Sequence, residues 1–125
     1  MPDSLKVLFV CGRNQWRSPT AERIYRDDAR LAVRSAGVSS KATHELSDAD
    51  LDWADLVLVM ERRYSARIRS NFSGRRQPFP PIESLDIPDE FRYMDPDLIS
   101  LIRSSAEPHF VHLKPNRSMD PASPP

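Results

Sequence analysis

Apolar residues in this chain gather in short, nearly unbroken runs, each followed by a polar stretch with helical spacing. The runs cover residues 5–10, 31–37 and 54–60, and Val, Leu and Ala dominate them. Strands buried on both faces of a parallel sheet read this way, without the alternation of a half-exposed strand. Between the first two runs, residues 19–29 carry good helix formers, with Pro19 near the start, where a helix tolerates proline. The second run, Leu31–Gly37, ends on glycine, so the first 37 residues predict a βαβ unit with a right-handed crossover.

Residues 47–53 predict a short helix starting at Ser47, with Asp50 three positions on as a weaker form of the capping box. Residues 61–70 predict an amphipathic helix that offers Tyr64, Ala66 and Ile68 for packing, and Glu61-Arg62-Arg63 reads as its solvated charged face. The polar stretch 71–77 closes that helix. Pro78, Pro80 and Pro81 cannot donate to a ladder, so residues 82–87 predict no more than a short strand near a sheet edge. Asp95-Pro96-Asp97 opens a last helix whose buried side is Leu98, Ile99, Leu101 and Ile102. From Glu107 onward periodicity is lost, which predicts a domain over residues 1–106 and a Pro-rich, disordered tail over 107–125.

Composition narrows the class. A chain of 125 residues fits one domain with one core. Its 18 basic and 18 acidic residues cancel, so no field argues for a nucleic-acid partner. No apolar run nears the roughly 20 residues of a membrane span, which predicts no membrane partner. The single cysteine, Cys11, cannot form an internal disulfide, and the N-terminus does not resemble a signal peptide, so a reducing cytoplasm is expected. Nothing in the patterning specifies an oligomeric state.

The chemistry concentrates where the first run ends. Ligands of parallel sheets bind at the carboxyl ends of strands, and Cys11 falls there, followed by Gly12-Arg13-Asn14-Gln15-Trp16-Arg17-Ser18 and the helix start. Such a loop collects backbone N–H groups and the positive end of a helix dipole, which suits an oxyanion. Cysteine at its first position and arginine six residues later would hold a phosphate between a thiolate nucleophile and a bidentate guanidinium. A free thiol is mostly protonated at neutral pH, so the loop must favour the anion, with Arg17 and the Ser18 hydroxyl as the side-chain means. Gly12 allows close backbone approach, and Asn14 tolerates left-handed geometry while its amide ties down the loop. Taken alone, a cysteine ending a buried strand is more often an inert core residue. The joint order of strand, Cys, Gly, Asn, Arg-Ser-Pro and helix points instead to phosphate-ester chemistry.

These residues resemble the low-molecular-weight protein tyrosine phosphatase family, and its short bacterial branch in particular. The resemblance rests on Val-Leu-Phe-Val-Cys11, Asn14, Arg17-Ser18-Pro19-Thr20-Ala21-Glu22, Arg34-Ser35-Ala36-Gly37, the stretch from Trp53 to Glu61, and Leu85-Asp86-Ile87-Pro88-Asp89. It implies a three-layer α/β/α fold with a four-stranded parallel sheet. It also implies Cys11 as nucleophile, Arg17 as phosphate clamp, Asn14 and Ser18 as supports, and an aspartate after the last strand as general acid. Asp89 sits at the matching point, with Phe91 two residues beyond; Asp95, which precedes a proline, and Asp86 are the alternatives. No metal and no cofactor is implied, and the substrate would be a phosphorylated protein or a small phosphate ester.

The chain departs from the family pattern at Arg13, where glycine is frequent, and at Trp16, where many members have a second cysteine. Arg13 either anchors the loop or adds positive potential that favours an acidic or multiply phosphorylated substrate. Trp16 either walls the substrate pocket or packs between loop and helix. The paired tyrosines that follow the family acid are missing, and Phe91 and Tyr93 are the candidates to replace them. His109 and His112 lack further ligands and predict no metal site, and His44 reads as loop surface. Two other functions fit the same loop. One is a phospholigand-binding module without turnover. The other is a phosphatase of small metabolites or an arsenate reductase on the same fold, the latter short of the extra cysteines its chemistry uses.

Overall fold

The computed structural model describes residues 4–113. Strand β1 (Leu5–Cys11) leads through the loop into helix α1 (Arg17–Tyr25), then β2 (Leu31–Gly37), α2 (Asp48–Trp53), β3 (Leu56–Val59), α3 (Arg62–Asn71), β4 (Ile82–Ser84) and α4 (Pro96–Ala106). The four strands form one parallel sheet in the order β2-β1-β3-β4. The chain thus steps outward from β1 to β2, then crosses back to place β3 on the other side. Right-handed connections then put α1 on one face of the sheet and α2 and α3 on the other. This is the α/β architecture expected from the sequence.

Burial explains the apolar runs. Val7, Leu8, Phe9 and Val10 of β1 and Val57, Leu58 and Val59 of β3 are fully enclosed, which requires cover on both faces. Phe9 stacks on Tyr25 of α1 with ring centroids 6.0 Å apart. β2 occupies the predicted residues. Ser47 caps α2 through the full reciprocal box, its hydroxyl accepting from Asp50 N–H while the Asp50 carboxylate accepts from Ser47 N–H.

Several boundaries differ from the sequence reading. Helix α1 begins at Arg17 and stops at Tyr25, short of residue 29. Pro19 therefore sits third in the helix, where its missing N–H is one of those with no intrahelical partner. Past Tyr25 the chain turns, with Asp28 accepting from both the N–H and the side chain of Arg30. β4 is only three residues long and lies at the sheet edge, as its prolines suggested.

The expected domain end at residue 106 also falls inside packed structure. A short 3-10 turn, Glu107–His109, continues from α4 and delivers Phe110 into the core, fully buried and edge-on to Tyr25 at 5.3 Å. Glu107 accepts from Tyr25 Oη at 3.0 Å and pairs with Arg30 at 3.1 Å, while Arg30 also donates to the Phe110 carbonyl. Aromatic burial and a charged clamp hold a stretch whose local composition reads as tail. The remainder of the expected tail, 114–125, lies outside the described residues. Among the described residues no helix is long and apolar enough to cross a membrane.

Candidate active site

Because β2 and β3 flank β1 on opposite sides, the connections leaving β1 and β3 diverge and open a crevice at their carboxyl ends. Cys11 is the last residue of β1 and Glu61 follows β3 by two positions. A cavity of about 380 Å³ occupies this crevice, lined by Cys11, Gly12, Arg13, Gln15, Trp16 and Arg17 from the loop, by Ser39, by Arg63, Tyr64 and Arg67 from α3, and by Asp89.

The loop is held from behind by Asn14. Its φ of 54° is the left-handed geometry that asparagine tolerates, and this turns its N–H toward Cys11 Sγ at 3.2 Å. The side-chain amide donates to Ser18 Oγ at 3.0 Å and Ser35 Oγ at 3.1 Å, and its oxygen accepts from His44 N–H at 3.1 Å. Ser35 in turn donates to Glu22 at 2.6 Å. The buried amide is thus fully used, as burial demands.

Ser18 Oγ lies 2.9 Å from Cys11 Sγ and 3.3 Å from the Ala36 carbonyl. Since Asn14 already donates to this oxygen, the single hydroxyl proton must choose between sulfur and carbonyl. With a thiol, Cys11 can donate to Ser18 and Ser18 to Ala36; with a thiolate, the Ser18 proton turns to sulfur. Both states keep every group paired.

Gly12 and Gly37 serve close approach rather than unusual dihedrals. A Cβ on Gly12 would stand 3.0 Å from Tyr64 Oη. One on Gly37 would stand 2.6 Å from Ala42 Cβ and 2.7 Å from the Gly12 carbonyl oxygen, overlapping both. Residues beyond Gly37 run alongside the loop, with Val38 N–H donating to Cys11 O, Ser39 N–H to Gly12 O and Thr43 N–H to Arg13 O.

Arg17 is buried, and its fork is occupied on one side. Nη1 donates to Glu61 Oε2 and to the Ile87 carbonyl, each at 2.7 Å, and Nη2 donates to Tyr64 Oη at 3.1 Å. Nε stands 3.7 Å from Asp89 Oδ1. Burial works against the Arg17 charge, but the bonds to Glu61 and Tyr64 outweigh it and raise its pKa above the ordinary arginine value. Burial pushes Glu61 up as well, yet Arg17 and Arg63 together hold its carboxyl below the usual range. Neither Glu61 nor Tyr64 is legible as a site residue in the sequence; the first reads as solvated surface and the second as packing.

The three aspartates separate by position. Asp89 lines the cavity and is exposed. Asp95 caps α4, accepting from Asp97 N–H at 2.8 Å. Asp86 has a φ of 55°, accepts from Ser84 Oγ at 2.6 Å and pairs with Arg62 at 3.1 Å. The segment carrying Asp89 is tethered at both ends, by Ile87 N–H to Met60 O and by Met94 N–H to Thr20 Oγ1.

Trp16, 40% exposed, is a wall of the cavity, with the Arg92 guanidinium 5.9 Å from its ring. Phe91 and Tyr93 do not share that role: Phe91 packs against the core and Tyr93 faces solvent, so the aromatic lining comes from Trp16 and Tyr64. His44 Nε2 contacts Asp50 Oδ2 at 2.9 Å, away from the cavity. Among the described residues no group of three or more His, Cys, Asp or Glu side chains is arranged to hold a metal ion.

A buried thiol and a buried arginine face one crevice of the parallel sheet, and comparison with known proteins finds similarity to phosphatases. Residues 6–48 match the family model of low molecular weight phosphotyrosine protein phosphatases. No curated protein sequence matches the chain. Among solved structures, a YwlE mutant from Bacillus subtilis is 26% identical with a TM-score of 0.60, covering 85% of this chain and 99% of its own. The YwlE arginine phosphatase from Geobacillus stearothermophilus is 24% identical, TM-score 0.64, over 86% of this chain and 94% of its own. The tyrosine phosphatase Wzb from Escherichia coli K30, in complex with phosphate, is 21% identical, TM-score 0.63, over 83% and 94%. The family match over residues 6–48 and the shared fold make this chain similar to the low molecular weight phosphotyrosine protein phosphatases, which supports a phosphatase, a hydrolase.

Proposed function

We propose that the protein hydrolyses phosphate monoesters without a metal or cofactor, with phosphotyrosine in protein as the substrate, through a phosphocysteine on Cys11. The thiolate attacks phosphorus, the S–P bond forms, the P–O bond breaks, and the leaving oxygen takes the proton of Asp89. Water then attacks the phosphocysteine and gives a proton back to Asp89, releasing inorganic phosphate and the thiolate. Loop N–H groups from Gly12 to Ser18 and the Nε–Nη2 edge of Arg17 hold the transferring oxygens, with one Nη2 proton on Tyr64 Oη and Nη1 kept by Glu61 and Ile87 O. A free thiol of this kind suits a reducing cytoplasm.

The observation that carries this reading is that Cys11, Arg17 and Asp89 line one cavity although 78 residues separate the first from the last. A mutant YwlE arginine phosphatase with a phosphorylated active-site serine has the same fold, at 24% identity, which agrees with covalent transfer at this position. The test is p-nitrophenyl phosphate hydrolysis in chelator and reductant by wild type and Cys11→Ser. Turnover lost in the variant supports the scheme, and full turnover in the variant ends it. Phosphate or vanadate binding without turnover in the wild type identifies a phospholigand-binding module. Phosphotyrosine and phosphoarginine peptides run in parallel decide the leaving group.

A further inference from the structure

The whole chain is neutral, but the mouth of the cavity is not. Four arginines line it, Arg13, Arg17, Arg63 and Arg67, against one carboxylate, Asp89. Arg17 is committed to Glu61 and to the phosphate position, and Arg63 pairs with Glu61 Oε1 at 2.7 Å. Arg13 and Arg67 have no side-chain hydrogen bond or ion pair within the described residues, and both are exposed. A single phosphate is already met by Arg17 and the loop N–H groups, so these charges exceed what one phosphate uses.

Their placement is ordered. Arg63 and Arg67 stand four residues apart on α3 and share a helix face. Arg13 projects from the loop that borders the same cavity, and Trp16 adds an apolar wall. Because Arg13 and Arg67 lie exposed at the opening and not on the floor, a group bound by them extends past the phosphorylated side chain, along a polypeptide.

We propose that Arg13 and Arg67, beside the Glu61-paired Arg63, form a second anion subsite at the mouth of the phosphate cavity, which receives an acidic or second phosphorylated side chain adjacent to the phosphoresidue of a polypeptide substrate. This rests on the phosphatase reading above. Guanidinium groups suit both anions, since each offers two oxygens to the planar fork. The subsite selects among substrates by charge and has its largest effect at low salt, because exposed charges are screened over about 10 Å at 0.1 M.

The experiment compares kcat/KM for phosphopeptides with neutral, acidic and doubly phosphorylated flanks, together with a small aryl ester carrying one or two phosphates. Acidic and doubly phosphorylated peptides are expected to exceed the neutral peptide by about five-fold at low salt, an advantage that shrinks as salt rises. Within Arg67→Gln the ratio falls toward one, and within Arg67→Glu the acidic flank becomes a disadvantage. A ratio of one in the wild type, the same ratio in Arg67→Glu, or a gain confined to the small bisphosphate overturns the subsite. Absence of p-nitrophenyl phosphate turnover in the wild type would instead count against the phosphatase reading. Calorimetry with non-hydrolysable phosphonate peptides of the same three flanks then reads the subsite alone, with the same order of affinities expected and equal affinities overturning it.

Discussion

Arg17 Nη1 lies 2.7 Å from Glu61 Oε2, an ion pair that joins residues 44 positions apart across the crevice between β1 and β3. Glu61 is the N-terminal boundary residue of α3 but makes no cap there; its carboxylate is turned to the guanidinium. With Ile87 O it fixes the azimuth of the fork. Removing it leaves a buried cation partly uncompensated. Glu61→Gln is expected to lower kcat/KM about ten-fold and Glu61→Ala about a hundred-fold, mostly in kcat, because a tilted fork loses alignment with the transition state. Steady-state kinetics on an aryl phosphate read this. A change confined to KM would assign Glu61 to substrate binding only.

Asp89 and Asp95 make opposite predictions. Asp89→Asn removes a carboxyl that lines the cavity, so it should slow alkyl or phenyl phosphates by about a hundred-fold and p-nitrophenyl phosphate less, since the better leaving group needs little protonation. Asp95→Asn keeps a capping side chain on α4 and should leave the leaving-group profile flat. The reversed pattern would move the acid role to Asp95.

At Asn14 the backbone and the amide can be separated. Asn14→Gly preserves the φ of 54° and deletes the bonds to Ser18, Ser35 and His44. A fall in kcat of about ten-fold or more is expected, with a melting loss equivalent to about 1–3 kcal/mol from the orphaned partners. Unchanged kinetics would show that the left-handed turn alone shapes the loop.

Phe110 tests where the folded unit ends. Phe110→Ala, or truncation after Ala106, should cost about 3–5 kcal/mol by thermal or urea unfolding, because a fully buried ring against Tyr25 is lost.

The clamp beside it sets an acid limit. Arg30 holds both Asp28 and Glu107 below their ordinary carboxylate values. Groups lowered by folding contribute stability above their unfolded values, near pH 4, and lose it as pH falls through the folded ones. Glu107→Gln should therefore be less stable than wild type by roughly 1–2 kcal/mol at pH 7, and the gap should narrow below about pH 4. A gap independent of pH would mean that shape, not charge, holds the clamp.

Much of the frame was legible because it is local. A valine- and leucine-rich run specifies a two-sided strand, Ser47 and Asp50 specify a cap three residues wide, and the run from Cys11 to Ser18 carries its own turn chemistry. What stayed hidden comes from far along the chain. Glu61 and Tyr64 look like any charged helix start, and only the β1/β3 adjacency brings them to Arg17. Phe110 sits among proline, histidine and charge, so no periodicity announces its burial. The end of α1 is hidden for a related reason: Asp28 and Arg30 build a turn from residues that a helix would also accept.

Gly37 has an engineering consequence. Its missing side chain lets residues 37–44 lie flush against the cysteine loop as an outer sleeve, bonded to it at Cys11, Gly12, Arg13 and Asn14. The anion cradle is therefore a two-ply object, and its smallest transplantable form is not the eight-residue motif but the whole stretch from β1 through the sleeve. The span that matches the family model, residues 6–48, has nearly those limits. A graft of the inner ply alone onto another strand-loop-helix would carry the reactive groups without the wall that curves them.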